Sequence, residues 1–247
     1  MSGHSKWAGI KHKKAVVDAR KGQTFTKVAN EVTVAARESG SDPTSNFRLR
    51  LAIQKAREVN MPADNIERAI KRGTGELQGD AIEEIRYEGY GPSGVAILVD
   101  VLSDNRNRTV AAIRNLFTRS GGSLAESNSV GWMFNRTGLI RVDPGGEDPE
   151  ALALRAIELG ADDVQVGDGG VEVYVAPERL ESLRQALSDA KIEVESADVT
   201  MLPSNTVEVD AKNAPAVVRL LEALDEQDDV REVYCNAVLP DDVMAEV

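Results

Sequence analysis

Residues 138–201 decide how this chain folds, and they read GLIRVDPGGEDPEALALRAIELGADDVQVGDGGVEVYVAPERLESLRQALSDAKIEVESADVTM. The hydrophobic pattern predicts strands and helices in the order β-α-β-β-α-β, over 138–142, 149–160, 164–166, 171–175, 177–190 and 192–201. Asp148 and Pro149 are typical of a helix cap and first turn, and the glycine-rich residues 167–170 predict a hairpin turn. This order is the split βαβ plan, so 135–203 is predicted to be a self-contained α+β domain.

The flanking sequence predicts a second domain that is interrupted by the first. Before the interruption, strands are expected at 85–90 and 95–102, then a helix that ends at 121–122, then strands at 123–126 and 129–134. After it come a strand at 206–209, a helix at 213–226 and a strand at 230–234. This last segment holds only half of the plan and needs 82–134 to complete a sheet. The sequence therefore predicts that 135–203 is inserted into a domain made from 77–134 and 204–247.

Residues 1–76 are predicted to form a three-helix domain. Thr24 is expected to cap the first helix, and Asn46 precedes the second. Asp64 and Glu67 predict a capping box for the third helix. Glycines at 40 and 73 are expected to end the first and third helices, and the glycine-rich residues 74–80 are expected to form a linker.

The composition excludes several classes of protein. A single cysteine, Cys235, excludes an internal disulfide and a multi-cysteine zinc site, and the two histidines, His4 and His12, leave little room for histidine-based chemistry. No apolar run approaches the ~18 residues of a membrane helix, and the basic N-terminus lacks the apolar segment of a secretory signal. We expect a cytoplasmic protein that uses no cofactor and no metal.

Short motifs that could suggest catalysis have simpler interpretations. The sequence GYGPSG at 89–94 has the glycine spacing of a dinucleotide-binding loop, but a strand follows it where a helix is required, which favours a hairpin turn. The acidic pairs at 162–163, 228–229 and 241–242 lack a convergent third ligand, and we expect them to be solvated surface. Cys235 is expected to be a small buried hydrophobe. No group of catalytic residues is indicated, so the protein is predicted not to be an enzyme.

Charge is divided unevenly along the chain. Residues 1–75 hold 15 basic and 7 acidic side chains, a net charge of +8, whereas the remaining 172 residues hold 14 basic and 34 acidic ones, a net charge of −20. An anionic partner is therefore expected at the basic end. Trp7 lies among lysines and can stack on a base while the lysines neutralise phosphates. The alternatives are a solvated basic tail and a tryptophan that anchors this tail to the helices.

Two sets of site residues follow. The predicted nucleic-acid contacts are Trp7 and the basic residues of the N-terminus and of the second helix outside its apolar face: Lys6, Trp7, Lys11, His12, Lys13, Lys14, Arg20, Lys21, Lys27, Arg48, Arg50, Lys55 and Arg57. The second set combines arginines and amides at a helix start, which suits an anion or a partner protein; its members are Asn105, Arg106, Asn107 and Arg108. Helix capping with exposed arginines is the alternative for this second set.

Several motifs together resemble the YebC/PmpR family. They are GHSKWA at 3–8, KHKK at 11–14, AAR at 35–37, NMPADNI at 60–66, EGYGP at 88–92 and DNRNRT at 104–109, and the resemblance covers essentially the whole chain. It implies an α+β protein with a helical N-terminal domain and two ferredoxin-like domains, and no catalytic activity. Gly9 stands where Asn is common, and Gln23 stands where a basic residue is common, which removes one expected cation.

The resemblance also implies a regulator of gene expression. Family members are called probable transcriptional regulators and treated as DNA-binding, while the mitochondrial relative is a translational activator and bacterial members are viewed as ribosome-associated. Our interpretation is a non-enzymatic DNA-binding transcriptional regulator. The first alternative is a translation factor that binds ribosomal RNA, whose acidic part could face basic ribosomal proteins. The second is a protein-interaction module whose basic domain meets an acidic partner.

Overall fold

A computed structural model describes residues 21–78, 81–167 and 170–240. The helices in these ranges are α1 (Lys21–Ser39), α2 (Phe47–Glu58), α3 (Ala63–Gly73), α4 (Arg106–Arg119), α5 (Pro149–Glu158), α6 (Leu180–Asp189) and α7 (Ala214–Asp225). The strands are β1 (Glu83–Tyr90), β2 (Ala96–Ser103), β3 (Ser123–Leu124), β4 (Phe134–Val142), β5 (Asp163–Gly167), β6 (Gly170–Val175), β7 (Val194–Pro203), β8 (Val207–Glu208), β9 (Val230–Cys235) and β10 (Ala237–Val238).

These elements form two compact units. The first is 133–205, and the second combines the described residues before 133 with those after 205. The domain boundaries at 76/77, 134/135 and 203/204 stay predictions. The fold class is α+β, as the sequence and the resemblance predicted.

The unit 133–205 has the predicted β-α-β-β-α-β order. Its antiparallel sheet has the strand order β5-β6-β4-β7, which is ferredoxin-like. Asp148 caps α5 by accepting a hydrogen bond from the backbone N–H of Glu150, at 3.2 Å, and Pro149 is the first helical residue. A Cβ on Gly138 would lie 3.1 Å from Leu180 Cδ1, so the missing side chain lets the start of α6 approach the sheet. Leu180, Leu183 and Leu187 of α6 are buried, as their spacing predicted.

The second unit contains a four-stranded antiparallel sheet with the order β3-β1-β2-β9. The central strand β2 pairs with β9, Ile97 opposite Cys235, which joins sequence from both sides of 133–205. Ile97, Val99 and Val101 on one face pack with residues of α4 and α7 in a single core. The hairpin between β1 and β2 confirms that 89–94 is a turn and not a dinucleotide-binding loop.

Helix α1 packs on the other side of this sheet. Val34 of α1 forms a small core with Ile82 and Leu102, and the guanidinium of Arg37 donates to the carbonyl of Ile82. Val32 and Ala35 pack in a separate core with residues of α2 and α3. α3 approaches α1 closely because Gly73 has no side chain: a Cβ there would lie 2.3 Å from the carbonyl oxygen of Thr33. The three helices are therefore packed onto a sheet as well as onto one another.

Two of the predicted helix starts are wrong. α1 already includes Lys21, so Thr24 lies inside the helix and is not its cap. α3 begins after Pro62 with no capping side chain, and Glu67 instead pairs with Lys71 one turn later, at 2.6 Å. Asn46 does cap α2, accepting from the N–H of Leu49 at 3.0 Å, and Gly40 follows α1 with a φ of +87°. Pro62 lies just before α3, and its carbonyl accepts the N–H groups of Asn65 at 2.9 Å and of Ile66 at 3.3 Å.

Two strand predictions also need correction. No strand covers 129–133: a loop leads into a 3₁₀ turn at Gly131–Met133, and β4 begins at Phe134. The strand predicted at 206–209 is shortened to β8, and it pairs with β10 in a two-stranded parallel sheet, not with the four-stranded one. At 129–133, the carboxylate of Glu88 accepts the backbone N–H groups of Val130 and Gly131, so these groups do not pair with a strand.

Candidate nucleic-acid interface

Most of the predicted phosphate contacts lie before α1. Lys21 is the first residue of α1. The described residues do not include Lys6, Trp7, Lys11, His12, Lys13, Lys14 and Arg20. They stay predictions.

The predicted cations of α1 and α2 bind partners within the chain. Lys27 donates to the carbonyl of Asp225, the last residue of α7, where the helix dipole favours a cation. Lys55 pairs with Glu31 of α1 at 3.0 Å. Arg50 donates to the carbonyl of Pro43 at 3.2 Å and lies over the ring of Phe47. A phosphate would have to compete with these partners.

Arg48 belongs to a chain of ion pairs between the helices and the sheet. It contacts Glu38 at 2.6 Å and Glu84 of β1 at 3.1 Å. Glu84 also meets Arg231 at 3.1 Å, and Arg231 reaches Asp100 at 2.9 Å. This geometry assigns Arg48 a role in docking α2 onto β1.

Other basic side chains of α2 and α3 are exposed to solvent. Arg57 of α2 is exposed, and so are Arg68 and Arg72 of α3. Arg72 lies in the last turn of α3, where the helix dipole favours a cation. Its exposure also makes it available to a ligand, which spacing alone could not indicate.

A cleft of about 550 Å³ lies between the helices and the start of α4. Thr26, Asn30 and Arg72 line it on one side, and Arg108 with Asp229 line it on the other. Asp104 and Asp228 add two more carboxylates to the wall. The lining therefore holds three carboxylates and two guanidinium groups. This net negative charge makes the cleft unsuitable for a phosphate.

The Asn105–Arg108 set has mainly structural partners. Asn105 caps α4 by accepting from the N–H of Arg108 at 3.0 Å, and the Arg108 guanidinium contacts Asp229 at 2.9 Å and Asp104 at 3.1 Å. Arg106 and Asn107 are exposed. The contacts of Asn105 and Arg108 favour the capping interpretation, and Arg106 and Asn107 stay available to a partner.

Asp229 organises the loop before β9. Its Oδ2 accepts from the hydroxyls of Ser103, at 3.0 Å, and of Thr109, in addition to Arg108. Burial acts to raise the pKa of Asp229, but the hydroxyl and guanidinium donors outweigh it and hold the pKa below the usual aspartate range. The prediction that Asp228 and Asp229 both lie on a solvated surface is wrong for Asp229.

Replacing Asp229 by alanine should lower the free energy of unfolding by ~1–3 kcal/mol, because two hydroxyls lose their shared acceptor. Asp228→Ala is the matched control: this neighbour is exposed, and a surface change of this kind should stay within about 0.5 kcal/mol. Urea unfolding of the two variants measures the difference. Equal stability would show that the Asp229 contacts contribute nothing.

Glu88 has a structural role that the sequence does not predict. Its side chain is buried and accepts backbone N–H groups from Asn128 at 2.8 Å, Val130 at 2.7 Å and Gly131 at 2.7 Å. Burial acts to raise the pKa of Glu88, and these three donors reverse the effect, so the pKa lies below its ordinary value. An acid next to GYGP in a strand was the only signal in the sequence.

The remaining chemistry-bearing residues have ordinary surroundings. Cys235 is buried in the core of the second unit, as predicted. Asp162 pairs with Arg179 and accepts the N–H of Ala176, whereas the pair at 241–242 lies outside the described residues. Within the described ranges, no three His, Cys, Asp or Glu side chains are placed to hold a metal ion. No helix in the same ranges is long and apolar enough to cross a membrane.

Two family models account for nearly the whole chain. Residues 5–76 match the TACO1/YebC protein N-terminal domain, and residues 82–237 match the TACO1/YebC second and third domain. The chain belongs to the TACO1/YebC family. The family resemblance found in the sequence is thereby confirmed.

Similar members of the TACO1/YebC family are known from several bacteria. A protein of Natranaerobius thermophilus is 50% identical over 99% of both chains, and one of Halothermothrix orenii is 51% identical over 100% of this chain and 99% of its own. Both are named probable transcriptional regulatory protein. The crystal structure of Aq1575, a conserved hypothetical protein of Aquifex aeolicus, is 46% identical, with a TM-score of 0.87 over 96% of this chain and 98% of that one.

Proposed function

We propose that this protein is a non-enzymatic, cytoplasmic regulator of gene expression that binds nucleic acid through its basic N-terminal segment, with DNA as the leading target. The observation that carries the proposal is the charge division, +8 over residues 1–75 against −20 over the rest. Only the basic end can approach a polyphosphate without strong repulsion. The names of the relatives support a role in transcription.

The contacts within the chain support a binding site on the N-terminus more than one on α1 and α2. Lys27, Arg48 and Lys55 already bind acceptors of the protein, so they contribute less to a phosphate site than exposed cations do. Lys6, Lys11, Lys13 and Lys14 carry the main phosphate contacts, assisted by Arg57. Contacts of this kind fix position on the backbone without reading sequence, so binding is expected to tolerate many sequences.

Replacing Lys11 by alanine should make the plot of log K against log salt concentration less steep. For duplex DNA, its slope should become less negative by about 0.9, because one phosphate contact is lost. The affinity should fall alike for unrelated sequences. Fluorescence anisotropy over a series of salt concentrations measures both effects. Lys212→Ala is the matched control, because Lys212 is an exposed lysine in the acidic part of the chain. Full affinity in the double variant Lys11→Ala, Lys13→Ala would remove the N-terminus from the site.

A ribosome-associated translation factor is the second candidate, and the surface of 133–205 favours it. This unit has 15 acidic and 6 basic side chains. Leu154 and Ile157 of α5 are 65% and 52% exposed on it. An acidic surface attracts a basic protein and repels DNA, and exposed apolar side chains can pack against a protein surface. Ribosomal proteins are basic, so this surface suits the ribosome better than bare DNA. Crosslinking in cells, followed by sequencing of the attached nucleic acid, distinguishes the candidates: ribosomal RNA supports the second and genomic DNA the first.

A further inference from the structure

Helix α5 presents apolar side chains to solvent. Leu154 and Ile157, which are neighbours on the helix surface, are 65% and 52% exposed. Val166 lies on β5, against which α5 packs, and is 40% exposed. A surface helix normally turns charged or polar residues towards water. Neighbouring apolar side chains on the exposed side of a helix therefore indicate an interaction surface.

Acidic side chains flank this apolar pair. Glu150 lies one turn before Leu154 and Glu158 lies one turn after it, so the three residues share one side of the helix. Both glutamates are exposed, and neither pairs with a cation in the described part of the chain. We call Glu150, Leu154, Ile157 and Glu158 the α5 face.

The surroundings of the α5 face carry a strong negative charge. Residues 147–167 contain six acidic side chains and one basic side chain, Arg155, a net charge of −5. The guanidinium of Arg155 is already bound, because it contacts Glu147 at 2.7 Å and donates to the carbonyl of Ala190 at 3.0 Å. A polyphosphate is therefore repelled from this surface, whereas a cationic partner is attracted to it.

The α5 face is held in place before a partner arrives. Asp148 caps the helix, and Leu152 and Ala156 on its opposite side are buried. The hydrogen bond from Arg155 to Ala190 ties α5 to the residue that follows α6. A preformed helix face loses little conformational freedom on binding, so more of the contact energy contributes to affinity.

We propose that the α5 face binds a basic, amphipathic helix of a partner protein. Apolar side chains of that helix pack on Leu154 and Ile157, and its lysines or arginines meet Glu150 and Glu158. A second copy of this chain fits poorly, since a two-fold symmetric contact brings the same patch of both copies together and sets acid against acid. The contact needs no nucleic acid, so it goes beyond the phosphate binding proposed for the N-terminus. It narrows the acidic surface of 133–205 to one helix face and one class of partner.

A designed peptide tests the charge and the apolar match together. The probe is a short helical peptide with leucines along one face and lysines elsewhere, labelled with a fluorophore and titrated with the whole chain in the absence of nucleic acid. The matched probe has the same composition, with its leucines dispersed around the helix. The first peptide should bind at least about 10-fold more tightly, because only its leucines can all be buried against Leu154 and Ile157.

Two variants should locate the bound peptide. Leu154→Ser should weaken binding about 10-fold through the loss of a central apolar contact, and Glu158→Gln should reduce the dependence of the affinity on salt. Leu77→Ser, at an exposed leucine outside 133–205, and Glu195→Gln, at an exposed acid of the edge strand β7, are the matched controls and should bind normally. All four positions are exposed, so the variants should remain folded.

Equal binding of the two peptides, or full affinity of Leu154→Ser, would overturn this proposal and leave the proposed nucleic-acid binding intact. Sedimentation of the protein alone tests the other occupant. A monomer at all concentrations leaves the α5 face free, as the proposal requires, whereas a dimer that Leu154→Ser abolishes would assign the face to a second copy and contradict it. Failure of the unaltered protein to bind any nucleic acid would instead overturn the proposed function.

Discussion

Replacing Glu88 by alanine should lower the free energy of unfolding by about 3–4 kcal/mol. The side chain is 7% exposed and accepts the N–H groups of Asn128, Val130 and Gly131. Each donor left without an acceptor inside a protein costs ~1–3 kcal/mol, and partial entry of water reduces the sum. Chemical denaturation at neutral pH measures the loss. Glu126→Ala, an exposed acid in the same loop, should be almost neutral.

The contribution of Glu88 to the free energy of unfolding should also depend on pH. Because folding lowers the pKa of this carboxyl, its stabilising effect is present above the pKa of the unfolded chain and disappears as the pH falls through the folded value. Glu88→Gln cannot titrate, so its deficit relative to the unaltered protein should shrink in acid. A deficit that stays constant from neutral to acidic pH would show that the charge of Glu88 has no part in holding the loop.

Replacing Asp100 by alanine should lower the free energy of unfolding by about 3 kcal/mol, the lower end of the usual loss for a buried ion pair, because the side chain of Arg86 is 40% exposed. Asp100 is 3% exposed on the central strand β2. It contacts Arg86 at 2.6 and 2.9 Å and Arg231 at 2.9 Å. Without it, the guanidinium groups of Arg86 and Arg231 lack their shared acceptor on the sheet face that α1 contacts. Thermal unfolding should therefore begin at a distinctly lower temperature.

Replacing all three charged residues at once gives a stricter test of this explanation. Replacing Asp100, Arg86 and Arg231 together by leucine or methionine should recover a large part of the loss, because no buried charge then remains uncompensated. Glu83→Ala, an exposed acid on the neighbouring strand β1, is the control. If the triple variant is less stable than Asp100→Ala alone, the arginines stabilise the protein independently of Asp100.

The sequence predicts the elements well where local chemistry is decisive. Asn46, Asp148 and Asn105 cap their helices, and the periodic leucines of α6 face inward. The strand predicted at 129–134 is wrong in its first part because the competing partner is distant in the chain. The segment 129–133 resembles a strand, yet Glu88, some forty residues earlier, binds its N–H groups and turns it into a loop. Such a choice is made by tertiary contacts, which override propensity.

The sequence predicts the candidate site only in part as well. Charge counting locates the basic end of the chain, but it cannot tell which cations are already bound. Arg48, Lys55 and Arg108 have the same formal charge as Arg57, and only the fold pairs the first three with Glu84, Glu31 and Asp229. Leu154 and Ile157 are likewise two of several apolar residues in α5, with nothing local to indicate that they are the exposed ones.

The pairing of β4 with β7 has a consequence for the order of folding. These strands match from Phe134 opposite Pro203 to Val142 opposite Val194, and Ser204 donates its N–H to the carbonyl of Met133 at 2.7 Å. The two ends of 133–205 therefore lie side by side once that unit has formed. The pairing of Ile97 with Cys235 then closes a much shorter effective loop than the sequence separation suggests, so the entropic cost of closing that loop is smaller. If 133–205 folds first, it should therefore speed the pairing of the two parts of the second unit.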